Sequence, residues 1–186
     1  TFDRALGFTC GGGDLADNVG DGRPATQVRL FGLHGIAAGR DGSVYLTETG
    51  GSRVRRVTPD GIARTLAGTG VSGYSGDGFS ATQARLSSPM AIAVGADDTV
   101  YVVDQANRRV RWFRPGGPIS TLAGTGVENT FGDAGPARAA GLQNLDNGIA
   151  VGPDGAVYVA QAFGNVRIRR ITPLLDRFVA GELVPS

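Results

Sequence analysis

The sequence predicts an all-β fold: a β-propeller segment of three four-stranded antiparallel blades plus the outer strand of a preceding blade, hence an incomplete propeller. Three observations predict it. One string of motifs occurs three times, its leading Gly-Asp at a spacing of 56 residues. Each return contains short runs rich in valine, isoleucine and tyrosine, bounded by turn dipeptides. No segment sustains a helical period. Four antiparallel strands repeated end to end are the pattern of a propeller blade, whereas a β-sandwich predicts no fixed recurrence.

The recurrence runs in order through each unit. Gly20-Asp21-Gly22 returns as Gly76-Asp77-Gly78 and as Gly132-Asp133-Ala134. "ATQVRL" (25–30), "ATQARL" (81–86) and "ARAAGL" (137–142) follow, then "HGIAAGRDGSVYL" (34–46), "MAIAVGADDTVYV" (90–102) and "NGIAVGPDGAVYV" (147–159). Next come "RVRRVTPDG" (53–61), "RVRWFRPGG" (109–117) and "RIRRITP" (167–173). "TLAGTG" closes the first two units at 65–70 and 121–126, and "FVAG" (178–181) stands in its place in the third. The first blade is expected to hold strands near 35–38, 43–47, 53–57 and 62–66, and the second near 91–94, 99–103, 109–113 and 119–122. The leading "FTCGGG" (8–13) aligns with "TLAGTG" and is expected to be the outer strand of the preceding blade. The chain then reads as a junction loop at 9–33, blades at 34–70, 76–126 and 132–181, and an exit segment at 182–186.

The junction "TLAGTGVSGYSGDGFSATQARLSSP" (65–89) has the composition of a flexible linker, yet its motifs are repeated. It is therefore expected to be ordered and to lie across one face, with Ala81, Ala84 and Leu86 as a short apolar plug. Glycine supplies its sharp turns.

Composition narrows the function. The 186 residues are 41% hydrophobic, enough for a core, and the net charge of +1 makes no case for nucleic acid or an anionic membrane. The lone cysteine, Cys10, excludes an internal disulfide framework and a cysteine-built zinc site. There is no apolar run of the roughly 18 residues a spanning helix needs. The first residues, "TFDRALGFTCGGG", lack an initiator methionine and the features of a signal peptide, so the chain is expected to be a processed or excised piece of something longer.

Three features together resemble the NHL-repeat family across about residues 8–181: "GIAV"-type innermost strands (35–38, 91–94, 148–151), a Val-Tyr pair on each second strand, and D-x-x-N-x-R-V-R at Asp104–Arg111. The long junctions are similar to the bacterial form found in RHS and teneurin-like surface proteins. "RIRRITPLLDRFVAGELVPS" (167–186) resembles the place where such a propeller meets RHS shell strands. The resemblance implies a non-enzymatic scaffold within a larger secreted or cell-surface bacterial protein, serving adhesion or toxin packaging. No cofactor, nucleic acid or membrane insertion is expected. Propellers close with about four to eight blades, so the implied partner is protein: the rest of a larger propeller chain or further copies of this one. The copies would build an oligomer or an extracellular fibre.

The candidate site residues fall into three sets. His34, Met90 and Asn147 share one repeat position at the entry of the innermost strand, near a propeller's central channel. They are candidate channel-mouth contacts, and a metal-dependent lyase centred on His34 is the enzymatic alternative. One histidine with methionine and asparagine does not make a metal set. Glu48, Asp104 and Gln161, with Asn107, are read as bracing the turn into the third strand. Asp21, Asp77 and Asp133 are read as holding their own turns, since each loop offers one acid rather than the D-x-D-x-D of a calcium loop.

Third-strand arginines (Arg53, Arg55, Arg56, Arg109, Arg111, Arg167, Arg169, Arg170) are expected to pack their stems between blades with the heads paired or wet. Aromatic residues make up only 7%, too sparse for a nucleic-acid stacking platform. No G-x-S-x-G elbow, P-loop or H-E-x-x-H is present, so no metal or catalytic residue is assigned.

Overall fold

The computed structural model describes residues 20–129, 131–143, 145, 148–161, 166–172 and 177–179. Blade 1 holds β1 (Leu33–Ala38), β2 (Val44–Glu48), β3 (Arg53–Val57) and β4 (Ala63–Ala67). Blade 2 holds β5 (Pro89–Val94), β6 (Val100–Asp104), β7 (Arg109–Phe113) and β8 (Ile119–Ala123). Blade 3 holds β9 (Ile149–Val151), β10 (Val157–Gln161), β11 (Arg167–Thr172) and β12 (Arg177–Val179). Each blade is a separate four-stranded antiparallel sheet whose spatial order follows the chain. The expected outer strand at 8–13 and the exit segment at 182–186 lie outside the described residues.

Local chemistry makes the hairpins. In the β1–β2 turn the Asp41 carboxylate accepts from the Ser43 N–H (3.0 Å) and hydroxyl (2.8 Å). Asp97 does the same for Thr99 in blade 2. β1 starts two residues before the stretch the alternation picks out, because a bulge between Leu33 and Ile36 restores pairing of Leu33 with Glu48. The same bulge recurs between Pro89 and Ile92, and a second pair recurs at Val54/Arg55 and Val110/Arg111. Bulges at fixed repeat positions add twist, which is what a blade needs.

Blades meet closely at their inner strands and splay outward. The junction fills the gap between outer strands. A 3-10 turn at Ala81–Gln83 sits between β4 and β8. On one side Gly68 N–H donates to the Ala81 carbonyl (3.0 Å) and Thr69 N–H to that of Ala84 (2.9 Å). On the other, Ala81 N–H donates to Gly117 O (3.1 Å) and Ile119 N–H to Phe79 O (2.9 Å). The turns at Ala25–Gln27 and Ala137–Ala139 each repeat one half of the arrangement: Ala25 N–H donates to Gly61 O (2.8 Å), and Gly124 N–H donates to Ala137 O (3.1 Å). The junction is thus a wedge between blades, rather than a strap across a face.

The apolar plug is central to the core. Ala81, Ala84 and Leu86 are buried in one cluster with Tyr45, Val54 and Ala67 of blade 1 and Ile92, Val102 and Phe113 of blade 2. Ala137, Ala140 and Leu142 occupy the matching place between blades 2 and 3. Gly76 lets the loop close onto this plug. Its φ is +92°, and a Cβ there would lie 2.7 Å from Ala84 Cα. β5 is mostly buried because blade 2 has a neighbour on each side, whereas its counterpart β1 alternates half-buried and exposed.

Candidate functional site

The inner strands define an axis with two ends. At the end where β1 and β5 begin, His34 is exposed and Met90 half-buried; Asn147 lies outside the described residues. Hydroxyls stitch blade 1 to blade 2 here: Thr47 Oγ1 donates to Met90 O (2.6 Å) and Thr49 Oγ1 to Pro89 O (2.7 Å). Gly35 N–H donates to the same Thr47 oxygen (2.7 Å), and a Cβ on Gly35 would run into the Met90 carbonyl. Close approach of the two backbones therefore demands glycine at this position.

At the opposite end, the turns leaving the inner strands enclose a shallow cavity of about 230 Å³. It is lined by Ala38, Arg40, Val94, Gly95, Val151 and Pro153 among others, and Arg40 is the one charged residue among its lining. The cavity is thus at the far end of β1 from His34. The recurring turns "GRDG", "GADD" and "GPDG" are the sequence signal for this end.

The acidic positions converge on the third-strand arginines. In blade 1, Arg55 Nη2 donates to Asp21 (3.0 Å) and Nη1 to Glu48 (3.2 Å). Glu48 also accepts from the Phe31 N–H (2.9 Å), while Asp21 accepts from the N–H (2.8 Å) and hydroxyl (3.0 Å) of Thr65 on β4. In blade 2, Arg111 lies between Asp77 (2.5 Å) and Asp104 (3.4 Å). Asp104 accepts from Ser87 N–H (2.7 Å) and the Asn107 amide (2.8 Å), and the same amide reaches Gly73 O (2.8 Å). Each set therefore ties junction, second strand and third strand together.

Blade 3 departs from this pattern. Gln161 donates its amide to Gln143 O (2.7 Å), while Arg169 donates to Asp133 (2.5 Å) and to Gly141 O (2.6 Å). A neutral residue replaces the second carboxylate, and a backbone carbonyl takes one guanidinium donor. Residue-by-residue reading missed this pairing, although the intervals of 34, 34 and 36 residues between the loop aspartate and the arginine were a usable signal.

Burial sets the electrostatics. Burial pushes the Asp104 carboxyl up to about 6, against the opposing bonds from Asn107, Ser87 and Arg111. Burial also acts to raise Asp77, but bonds from Thr121 and Arg111 outweigh it and hold that carboxyl below its ordinary range. The sign for Asp104 follows from linkage. Its folded value lies above its unfolded value, so its contribution is fully present below about pH 4 and is lost as pH rises through about 6. Between those limits, wild-type stability should fall with rising pH relative to Asp104→Asn. Urea unfolding of both proteins across pH 4–7 checks this, and parallel pH profiles would contradict it.

The remaining third-strand arginines are also engaged. Arg53 and Arg109 cap backbone carbonyls at Thr69 (3.1 Å) and Thr125 (2.6 Å), and Arg109 lies 3.8 Å from the centre of the Tyr74 ring. Arg56 and Arg170 pair with the hairpin acids Asp41 (2.5 Å) and Asp154 (2.6 Å). Arg167 pairs with Asp133 (3.0 Å). Among the described residues, no three His, Cys, Asp or Glu side chains are grouped to hold a metal ion, and no helix is long and apolar enough to cross a membrane.

Comparison with known proteins adds to this geometry. A family model described as the teneurin NHL domain matches residues 69–114, from the junction between blades 1 and 2 through the third strand of blade 2. Teneurin-3 of Mus musculus is 33% identical over 112 residues, 53% of this chain and 4% of its own length, so this chain spans a small fraction of that protein. A chain of the nidogen/laminin complex superimposes with a TM-score of 0.54 at 19% identity, covering 77% of this chain and 45% of that one. A catalytically inactive virginiamycin B lyase from Staphylococcus aureus with quinupristin gives 0.52 at 24%, covering 83% and 42%. At those identities the two likenesses show the propeller fold alone.

Proposed function

We propose that this NHL-repeat β-propeller segment is a non-enzymatic interaction module of a larger secreted or cell-surface protein of RHS or teneurin-like kind, with a protein as its partner. One observation carries the reading. Glu48, Asp104, Asp21, Asp77 and Asp133 are engaged in holding junctions to blades, while the junction loops turn apolar side chains outward. Val71 and Val127 occupy one repeat position and are 53% and 59% exposed; Tyr74, Phe79 and Phe131 are exposed on the same loops. Repeated outward apolar side chains suit a protein surface better than a small-molecule cleft. The likeness to teneurin repeats supports the same reading.

The experiment displays the 186-residue chain at high valency on beads and measures adhesion to intact cells. Binding is expected to fall several-fold after protease shaving of the cells, and likewise with a Val71→Glu/Val127→Glu chain. Absence of adhesion, or adhesion indifferent to shaving, would overturn the proposal.

A further inference from the structure

One motif of the repeat does more than close a blade. Thr-Gly-Val at 69–71 returns at 125–127. In each copy the threonine hydroxyl accepts from the valine N–H, at Val71 and Val127 alike (3.3 Å). That turn holds the valine outward, where more than half of it is exposed. The threonine carbonyl accepts from a third-strand guanidinium, Arg53 in the first copy (3.1 Å) and Arg109 in the second (2.6 Å). The middle glycine lies directly over that guanidinium. Its φ is +90° at Gly70 and +84° at Gly126, and a Cβ on either would run into the arginine head. Each copy thus fixes an outward apolar side chain beside a planar cation.

These two arginines differ from the others on their strands. Arg55, Arg56, Arg111, Arg167, Arg169 and Arg170 each pair with a carboxylate. Arg53 donates to the carbonyls of Gly51 and Thr69, and Arg109 to those of Asn107 and Thr125 with the Tyr74 ring against it. Both are half-buried cations without a counter-charge among the described residues. Two bonds leave most of a guanidinium's five donors unused. No nitrogen of either is buried without a partner, so those donors face solvent. Arg85, exposed beside Gly73 on the first junction, also has no carboxylate partner among the described residues. Of the acids on these loops, Glu128 is taken up by Arg108 (2.8 Å) and Gln143 (3.2 Å), and Asp77 by Arg111 and Thr121. The surface therefore offers cations beside apolar side chains, one set per junction, and keeps its carboxylates engaged.

We propose that the two Thr-Gly-Val turns dock an acidic segment of a partner protein, its carboxylates meeting Arg53 and Arg109 and its apolar side chains resting on Val71 and Val127. This rests on reading the chain as an interaction module and names the chemistry of the partner. A guanidinium already held by backbone carbonyls loses little freedom when a carboxylate binds, so its charge-assisted bonds cost less to form. A valine offers no ring for a base to stack on. A net charge of +1 supplies no field to gather a polyanion, so a protein segment fits this surface better than a nucleic acid.

The test selects a random peptide library, displayed on phage, on the immobilised 186-residue chain and in parallel on a Val71→Ser/Val127→Ser chain. Peptides retained by the wild type alone should be rich in Asp and Glu interspersed with Leu, Ile or Val. A dye-labelled synthetic copy of one should bind by fluorescence anisotropy, more weakly as salt rises. Gln in place of its acidic residues should weaken binding by about tenfold or more. Arg53→Gln/Arg109→Gln should do likewise and flatten the salt dependence. Unchanged Trp112 emission checks its folding, and the exposed valine pair carries the test should that variant not fold. No enrichment, neutral or basic retained peptides, or equal retention by the serine variant overturns the proposal. So does displacement of the peptide by a single-stranded oligonucleotide at lower concentration than by the unlabelled peptide. Adhesion to shaved and unshaved cells is read separately: if adhesion holds while the retained peptides are neutral, only the acidic partner falls.

Discussion

Replacing Arg111 with alanine is expected to destabilise blade 2 by about 3–5 kcal/mol. The guanidinium is fully buried, and so is one of its two carboxylate partners, Asp104. Deleting the arginine leaves that carboxylate without its counter-charge, and Asp104 must then take up a proton near neutral pH or be solvated by local opening. Lysine should recover only part of the loss, since a point charge cannot fork toward Asp77 and Asp104 together. The exposed pair Arg114–Asp97 is the control. At 2.6 Å it is shorter than the 3.4 Å Arg111–Asp104 pair, yet Arg114→Ala should cost within about 1 kcal/mol because solvent screens it. Burial therefore outranks distance.

Urea unfolding followed by Trp112 reads these effects. Trp112 is the only tryptophan in the chain, it sits on β7, and it packs against the cluster between blades 2 and 3. Asp104→Asn combined with Arg111→Met should be milder than the sum of the single changes, because no lone charge remains. Arg169→Ala should cost less than Arg111→Ala. Its neighbour Gln161 is neutral, and Asp133 is 37% exposed and can be rehydrated. Equal losses at Arg111, Arg114 and Arg169 would refute the account.

The second large effect is expected at the wedge. Leu86→Ala should cost about 2–5 kcal/mol. Leu86 is fully buried among residues of both blades, so its removal leaves a void walled by two separate sheets that cannot easily close upon it. Leu142→Ala, at the same position between blades 2 and 3, should behave alike. Surface changes on the same junction, such as Thr82→Ala, should fall within about 0.5 kcal/mol. A Leu86 variant as stable as the wild type would mean that the junction is a tether rather than a filler.

Much of this molecule was legible before any coordinates. The 56-residue period announced repetition, and alternating valine, isoleucine and tyrosine between Asp-Gly-type turns announced short strands. The apolar spacing of Ala81, Ala84 and Leu86 marked the plug. The acidic positions were found, but their partners were read too locally. Glu48 and Asp104 reach the junction backbone at Phe31 and Ser87 as well as the third strand, and Asp21 and Asp77 cross to the fourth strand. Turn-bracing arguments look a few residues along the chain, whereas these bonds join residues 17 to 44 apart.

Periodicity by itself determined the blade count, the strand order and the side chains available to a core, because side-chain alternation and turn chemistry act over a few residues. Tertiary structure decided what lies between the blades. Sheets that radiate from one axis must part toward the rim, and only packing in three dimensions shows that the glycine-rich junction is the wedge filling that gap. It also decided which arginine heads are buried. Arg53, Arg55 and Arg56 are adjacent in a chain of near-neutral charge, yet Arg55 alone lies between two carboxylates in the interior.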